Sequence, residues 1–217
     1  MYYFFAENCH KGGRRIFDHW EVREGLLWEG VLWTPKDSAP MEMTDSEKLI
    51  LLMLSEIHQK LEIQGDIDPK FIASAIYDDH TWAIPFRYIG VFPSESGREL
   101  PPEVKEVIDI LDMWTFIENG YASLTQQEKQ KLAAALPSGG SDPKFSGFDG
   151  NNETEHMSAA SFLINELKRF PHFSERALNC HYPSLSRHRS KLQSFEGIRK
   201  NLAGRNLNYS ELEKILS

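Results

Sequence analysis

Cysteine is scarce in this sequence: Cys9 and Cys180 are the only two in 217 residues. They lie far apart and form no CxxC pair, which excludes a disulfide framework and a zinc ribbon and fits a reducing cytoplasm. Long hydrophobic runs are missing too. The longest candidate, residues 49–54, falls well short of the roughly 18 apolar residues a membrane helix needs, so no membrane partner is expected. The aromatic run at residues 2–5 is too short for a signal-peptide core and lacks positive residues before it. Sustained strand alternation is absent, and so are the Walker, Rossmann and GxSxG motifs. No cofactor is expected from the sequence.

What is present is an ordinary globular composition, 41% hydrophobic and 26% charged, sufficient to close a core without staples. The net charge of -8 is unevenly distributed. Residues 41–136 hold 17 acidic and 8 basic side chains, giving -9, whereas residues 168–205 hold 2 acidic and 9 basic, giving +7. Two opposed stretches of this kind either face one another or solvate separate surfaces. The sharper alternative is a basic docking surface at Arg187, Arg189 and Lys191 for an acidic partner. Phosphate contacts and aromatic stacking would adapt that strip to nucleic acid, a partner disfavoured by the overall acidity.

Residues 1–40 read differently from the remainder, with Trp20, Trp28 and Trp33, a Gly12-Gly13 pair and no helical period. They are either a hairpin-like extension or translated upstream sequence before a start at Met41. The second is preferred, because a capping signal and regular amphipathic pattern begin directly after that methionine. Thr44 and Glu47 form a capping box, and Leu49, Ile50, Met53, Leu54, Ile57 and Leu61 recur at helical spacing, which predicts one buried face on a helix running to about Glu62. Asp68 and Pro69 cap a second helix, completing a helical hairpin.

The aromatic tract 80–92 is interrupted by Pro85 and Gly90 and reads as a packed connector. A long core helix follows Pro101-Pro102, with Val104, Val107, Ile108, Leu111, Trp114 and Ile117 on one stripe and Gly120 as its stop. Thr125 and Glu128 box a shorter helix. The breaker-rich stretch near 137–144 is the best internal boundary. Beyond it Asn152 with Glu155 is expected to cap a helix ended by Pro171. Pro183 opens a basic helix, and a final helix begins near Asn208. The fold class is therefore all-α: an irregular multi-helix bundle with an N-terminal hairpin and a C-terminal helical half.

Met41-Glu42-Met43-Thr44, the tract from His80-Thr81-Trp82 to Val91-Phe92, residues 107–114, and Phe148-Asp149-Gly150-Asn151-Asn152-Glu153 together resemble the YfbU family in order and spacing. The likeness continues through Leu178-Asn179-Cys180-His181 to Glu211 and Leu212, covering residues 41–217. It implies a bacterial, cytoplasmic, all-helical fold and supplies no catalytic set.

Candidate chemistry must then come from the residues themselves. His80 stands beside Asp78 and Asp79 among aromatics, where carboxylates would raise its pKa or orient its ring; helix termination and packing are the plainer alternative. Residues 149–153 cluster oxygen donors about Gly150 but lack EF-hand spacing, so turn and cap chemistry is favoured over an ion site. His156, His172, Cys180, His181 and His188 lack the helical spacing of a metal site, and no metal is expected. The preferred function is a non-enzymatic interaction or regulatory module, with a protein partner or a homo-oligomer. The alternatives are an enzyme with a pocket formed by His80, Trp82, Asp149, Asn152 and His181, and a nucleic-acid-associated regulator.

Overall fold

A computed structural model describes residues 43–92, 100–137 and 139–217; the expected extension at 1–40 lies outside them. The described residues form eight α-helices, joined by irregular segments in which a single parallel bridge pairs Phe148 with Asn179. The fold is all-α.

Local chemistry starts most helices where the side chains predict. In α1 (Asp45–Lys60) the Thr44 and Glu47 side chains satisfy each other's backbone amides, and Asp68 caps α2 (Pro69–Tyr77) through the amides of Lys70 and Phe71. Asp79 closes α2 in the left-handed conformation at φ 57°, letting His80 N–H reach back to the Ala75 carbonyl at 2.7 Å. The aromatic connector holds one short helix, α3 (Ala83–Arg87).

Helix α4 (Pro102–Ser123) is the central element. It packs against α6 (Thr154–Ser161), α7 (Leu185–Arg199) and α8 (Tyr209–Leu216), so Ile110 and Met113 are buried along with the expected stripe, of which Ile108 alone is only partly covered. Each such large apolar side chain withdrawn from water contributes about 1.5–3 kcal/mol. Gly120 does not end the helix, which continues to Ser123. A Cβ there would lie 2.8 Å from that of Leu207, so this glycine serves a close approach of chain segments. Helix α5 (Gln126–Ala135) opens with the expected Thr125–Glu128 box and packs on α8.

Three further expectations need correction. Asn152 is not the α6 cap; Glu153 occupies that position, and the Asn152 amide is bonded to the Asp149 carboxylate. Pro171 does not stop that helix, which passes into a π-helical turn at Phe162–Glu166 and ends there, while Pro171 starts a single 3-10 turn. Most consequential, the stripe on α1 predicted to be buried faces outward: Leu49, Ile50, Met53, Leu54, Ile57 and Leu61 are 49–67% exposed. Helix α1 instead meets α2 through the opposite side, with Ser55 buried and Leu51 and Leu52 packed on the core.

Candidate functional site

Two aromatic-lined polar nodes lie inside the molecule. His80 is buried; its Nδ1 accepts the Trp82 indole N–H at 3.2 Å, so the ring proton resides on Nε2 and is donated to Ser158 Oγ at 2.9 Å. Burial lowers the His80 pKa, outweighing Asp78 and the other nearby carboxylates that pull it upward. Asp79 is directed to Lys48, 3.6 Å away. His188 repeats this pattern: Trp114 Nε1 donates to its Nδ1 at 3.0 Å, and its Nε2 donates to the Gly147 carbonyl at 3.0 Å. Burial depresses its pKa too.

Residues 147–153 form a backbone-rich junction. Phe148 N–H donates to Leu178 O, and Cys180 N–H returns to Phe148 O at 3.0 Å. Asp149 turns its carboxylate onto the Asn151 amide at 3.0 Å. Asn179 Oδ1 accepts from the amides of Gly150 and His181, placing exposed His181 beside this turn. The sequence reading missed the residue at the centre. Buried Glu153 accepts from Asp149 N, Ser184 N, Ser184 Oγ and Leu185 N at 2.7–2.9 Å. It thereby satisfies the amides at the start of α7 that have no partner within the helix. Burial pushes this carboxyl up, yet these hydrogen bonds hold it below the usual range.

Of the five residues proposed for a pocket, His80 and Trp82 thus belong to the His80 node, and Asp149, Asn152 and His181 to the 147–153 junction. No hydrogen bond joins the two groups among the described residues, and none of the five lines the cleft beside Arg187 and Lys191 or the one beside Glu106 and Arg189. Nor do three His, Cys, Asp or Glu side chains converge for a metal among those residues.

The basic strip is divided in the same manner. Arg189 forms two hydrogen bonds with Glu106 on α4, at 2.6 and 2.9 Å, and His156 meets the same carboxylate at 2.8 Å. Arg189 leads in lowering the Glu106 pKa to about 2. Arg199 likewise reaches Asp109 and Asp112. Much of the opposed charge therefore meets across the α4–α7 seam. Arg187 lies over the Tyr182 ring, whereas Lys191 donates to the Leu216 carbonyl at 3.2 Å. Both line a cleft of about 600 Å³ between the 135–146 segment, α7 and the end of α8.

Another node escaped the sequence reading. Glu118, buried on α4, accepts both Arg176 guanidinium nitrogens at 2.8 Å, the Phe145 amide at 2.9 Å, and meets His172 Nε2 at 2.7 Å. Its partners are 27 to 58 residues distant, and no local motif signals such a contact.

These features define an all-α domain whose buried ionisable groups join helices together and which, among the described residues, exposes a row of large apolar side chains on α1. The chain belongs to the YfbU family: the YfbU domain matches residues 41–217. It is also 29% identical over 104 residues to a UPF0304 protein of Methanocaldococcus jannaschii, a match covering 45% of this chain and 58% of that protein's length. This relative is archaeal.

Proposed function

We propose that the domain is a non-enzymatic, cytoplasmic protein-interaction module of a regulatory kind, with α1 as its docking surface. One observation carries this reading: six large apolar side chains occupy the outward face of α1, each about half exposed or more. If each retains on the order of 100 Å² of accessible surface, the patch is roughly 600 Å², at the upper end of what a monomer leaves in water. The internal polar nodes support the same conclusion, because their histidines and carboxylates have structural partners. The test is native mass spectrometry of the full chain isolated gently from its own cells. An assembly heavier than the 25.0 kDa chain, lost on Leu54→Glu, is expected. A bare single chain, or one carrying a stoichiometric small ligand, would overturn the reading.

A second reading is favoured by the cleft beside Arg187 and Lys191. Neither makes an ion pair among the described residues, and Ser141, Ser146 and Ser190 also line the opening. This chemistry suits a small phosphate or carboxylate ligand. Titration with inorganic phosphate against the Arg187→Ala, Lys191→Ala double variant tests it; equal binding, or none by either protein, would remove it.

A further inference from the structure

The occupant of the α1 face follows from its own pattern. At about 100° per residue, Leu49, Ile50, Met53, Leu54, Ile57 and Leu61 form a single stripe, roughly opposite the Leu51–Leu52–Ser55 side that meets α2. The stripe extends nearly the whole length of α1, from its second turn to its C-cap Leu61. The charged ends of the helix are Asp45 and Glu47 in the first turn and His58 and Lys60 in the last, with Lys48 and Glu56 between them.

We infer that α1 pairs antiparallel with α1 of a second copy of this chain, an inference that rests on α1 being the docking surface. Under a two-fold axis near Met53, residues whose numbers add to about 105–107 stand opposite one another. Ile50 then faces the second copy's Ile57, and Met53 its Leu54, so the middle of the seam is apolar, while Leu61 lies over the second copy's first turn at residues 44–46. The same operation brings Asp45 alongside Lys60 and Glu47 alongside His58. Parallel pairing would place equal charges together at both ends. The antiparallel arrangement also opposes the helix dipoles favourably.

Size supports a second copy. Two patches of roughly 600 Å² bury about 1,200 Å² together, the lower edge of a stable protein–protein interface. Ile63 and Ile67, 48% and 41% exposed in the α1–α2 turn, offer further apolar area at its margin. The pattern also separates interface from fold: the six side chains have little to lose in the monomer, so polar substitution there is expected to remove association and preserve folding.

Sedimentation equilibrium of the purified full chain across about a hundredfold concentration range tests the inference. Wild type is expected to approach twice 25.0 kDa, while Leu54→Glu remains at the single-chain mass with unchanged circular dichroism and melting temperature. Lys60→Glu weakens pairing by about tenfold, since two symmetry-related contacts become repulsive, and Asp45→Lys in the same chain restores it. A wild-type protein that stays at 25.0 kDa, a Leu54→Glu variant of wild-type mass, or a double reversal that does not restore association overturns antiparallel self-pairing. If the purified chain is single while the cell-derived one is assembled with another protein, self-pairing fails and the interaction-module reading stands. A single chain in both settings removes both.

Discussion

Trp114 donates its indole N–H to Nδ1 of His188 at 3.0 Å, and this one bond fixes the charge state of the most deeply placed histidine in the α4–α7 seam. Nδ1 accepts only when unprotonated, and Nε2 donates to Gly147. Trp82 imposes the same state on His80.

Both histidines are therefore neutral in the folded chain, with pKa values lowered by burial. The unfolded chain takes up their protons first, near the ordinary value of about 6.5, so stability is fully present above that pH and falls as pH drops below it. Each histidine contributes a slope of up to ~1.4 kcal/mol per pH unit until its folded pKa is reached. Urea midpoints measured from pH 7.5 downward are expected to decline, with a shallower decline below about 6.5 in His188→Gln. A midpoint independent of pH between about 7 and 5 would refute the neutral pair.

Glu153 joins the 149–153 turn to the first turn of α7 through four accepted hydrogen bonds. Glu153→Gln replaces one acceptor oxygen by a donor facing donors, and is expected to cost about 2–4 kcal/mol by chemical denaturation. Hydrogen exchange at the Ser184 and Leu185 amides should accelerate most.

Gly147 has φ +88°, and a Cβ there would collide with the Leu178 carbonyl. Gly147→Ala is thus expected to destabilise by about 2–4 kcal/mol, combining backbone strain with displacement of the Phe148–Asn179 bridge. Gly197, in the last turn of α7 with open space around its Cβ position, is the control: Gly197→Ala should stabilise by up to about 0.5–1 kcal/mol. Thermal melts of the two variants should shift in opposite directions.

Arg176 and Arg189 each form a two-nitrogen contact with a glutamate of α4, but in different surroundings. The Glu118 and Arg176 side chains are 7% and 28% exposed, those of Glu106 and Arg189 22% and 58%. Arg176→Ala leaves a buried carboxylate short of its cation and is expected to cost about 2–4 kcal/mol. Arg189→Ala should cost less than about 1 kcal/mol and lose even that in high salt. Equal losses would show that burial does not set their worth.

The local devices were legible because their partners lie within a turn. The Thr44–Glu47 and Thr125–Glu128 boxes, the Asp68–Pro69 start and the Asn208 cap involve bonds of three residues or fewer, and side-chain chemistry alone specifies them. Periodicity correctly placed the buried stripe of α4. Glycine was harder to read: Gly120 has the sequence appearance of a stop, yet Leu207 lies against it from 87 residues away. The candidate pocket failed to present itself as one site for a similar reason. His80 and Asp149 each find partners nearer to hand, and residue type does not reveal which partner wins.

Short-range hydrogen bonding and the 3.6-residue period are enough to make the described residues helical and to set where most helices begin, and the order of residues alone segregates acidic from basic stretches. Tertiary structure decided which side of α1 is covered, that Glu118 meets Arg176 and Arg189 meets Glu106, and that two tryptophans hold two histidines neutral. Helix periodicity identifies an apolar face but not its partner, because Leu49–Ile50–Met53 and Leu51–Leu52 are both apolar and only the placement of α2 selects between them. The wider stripe is consequently left outward, where its length, apolarity and end charges suit another α1.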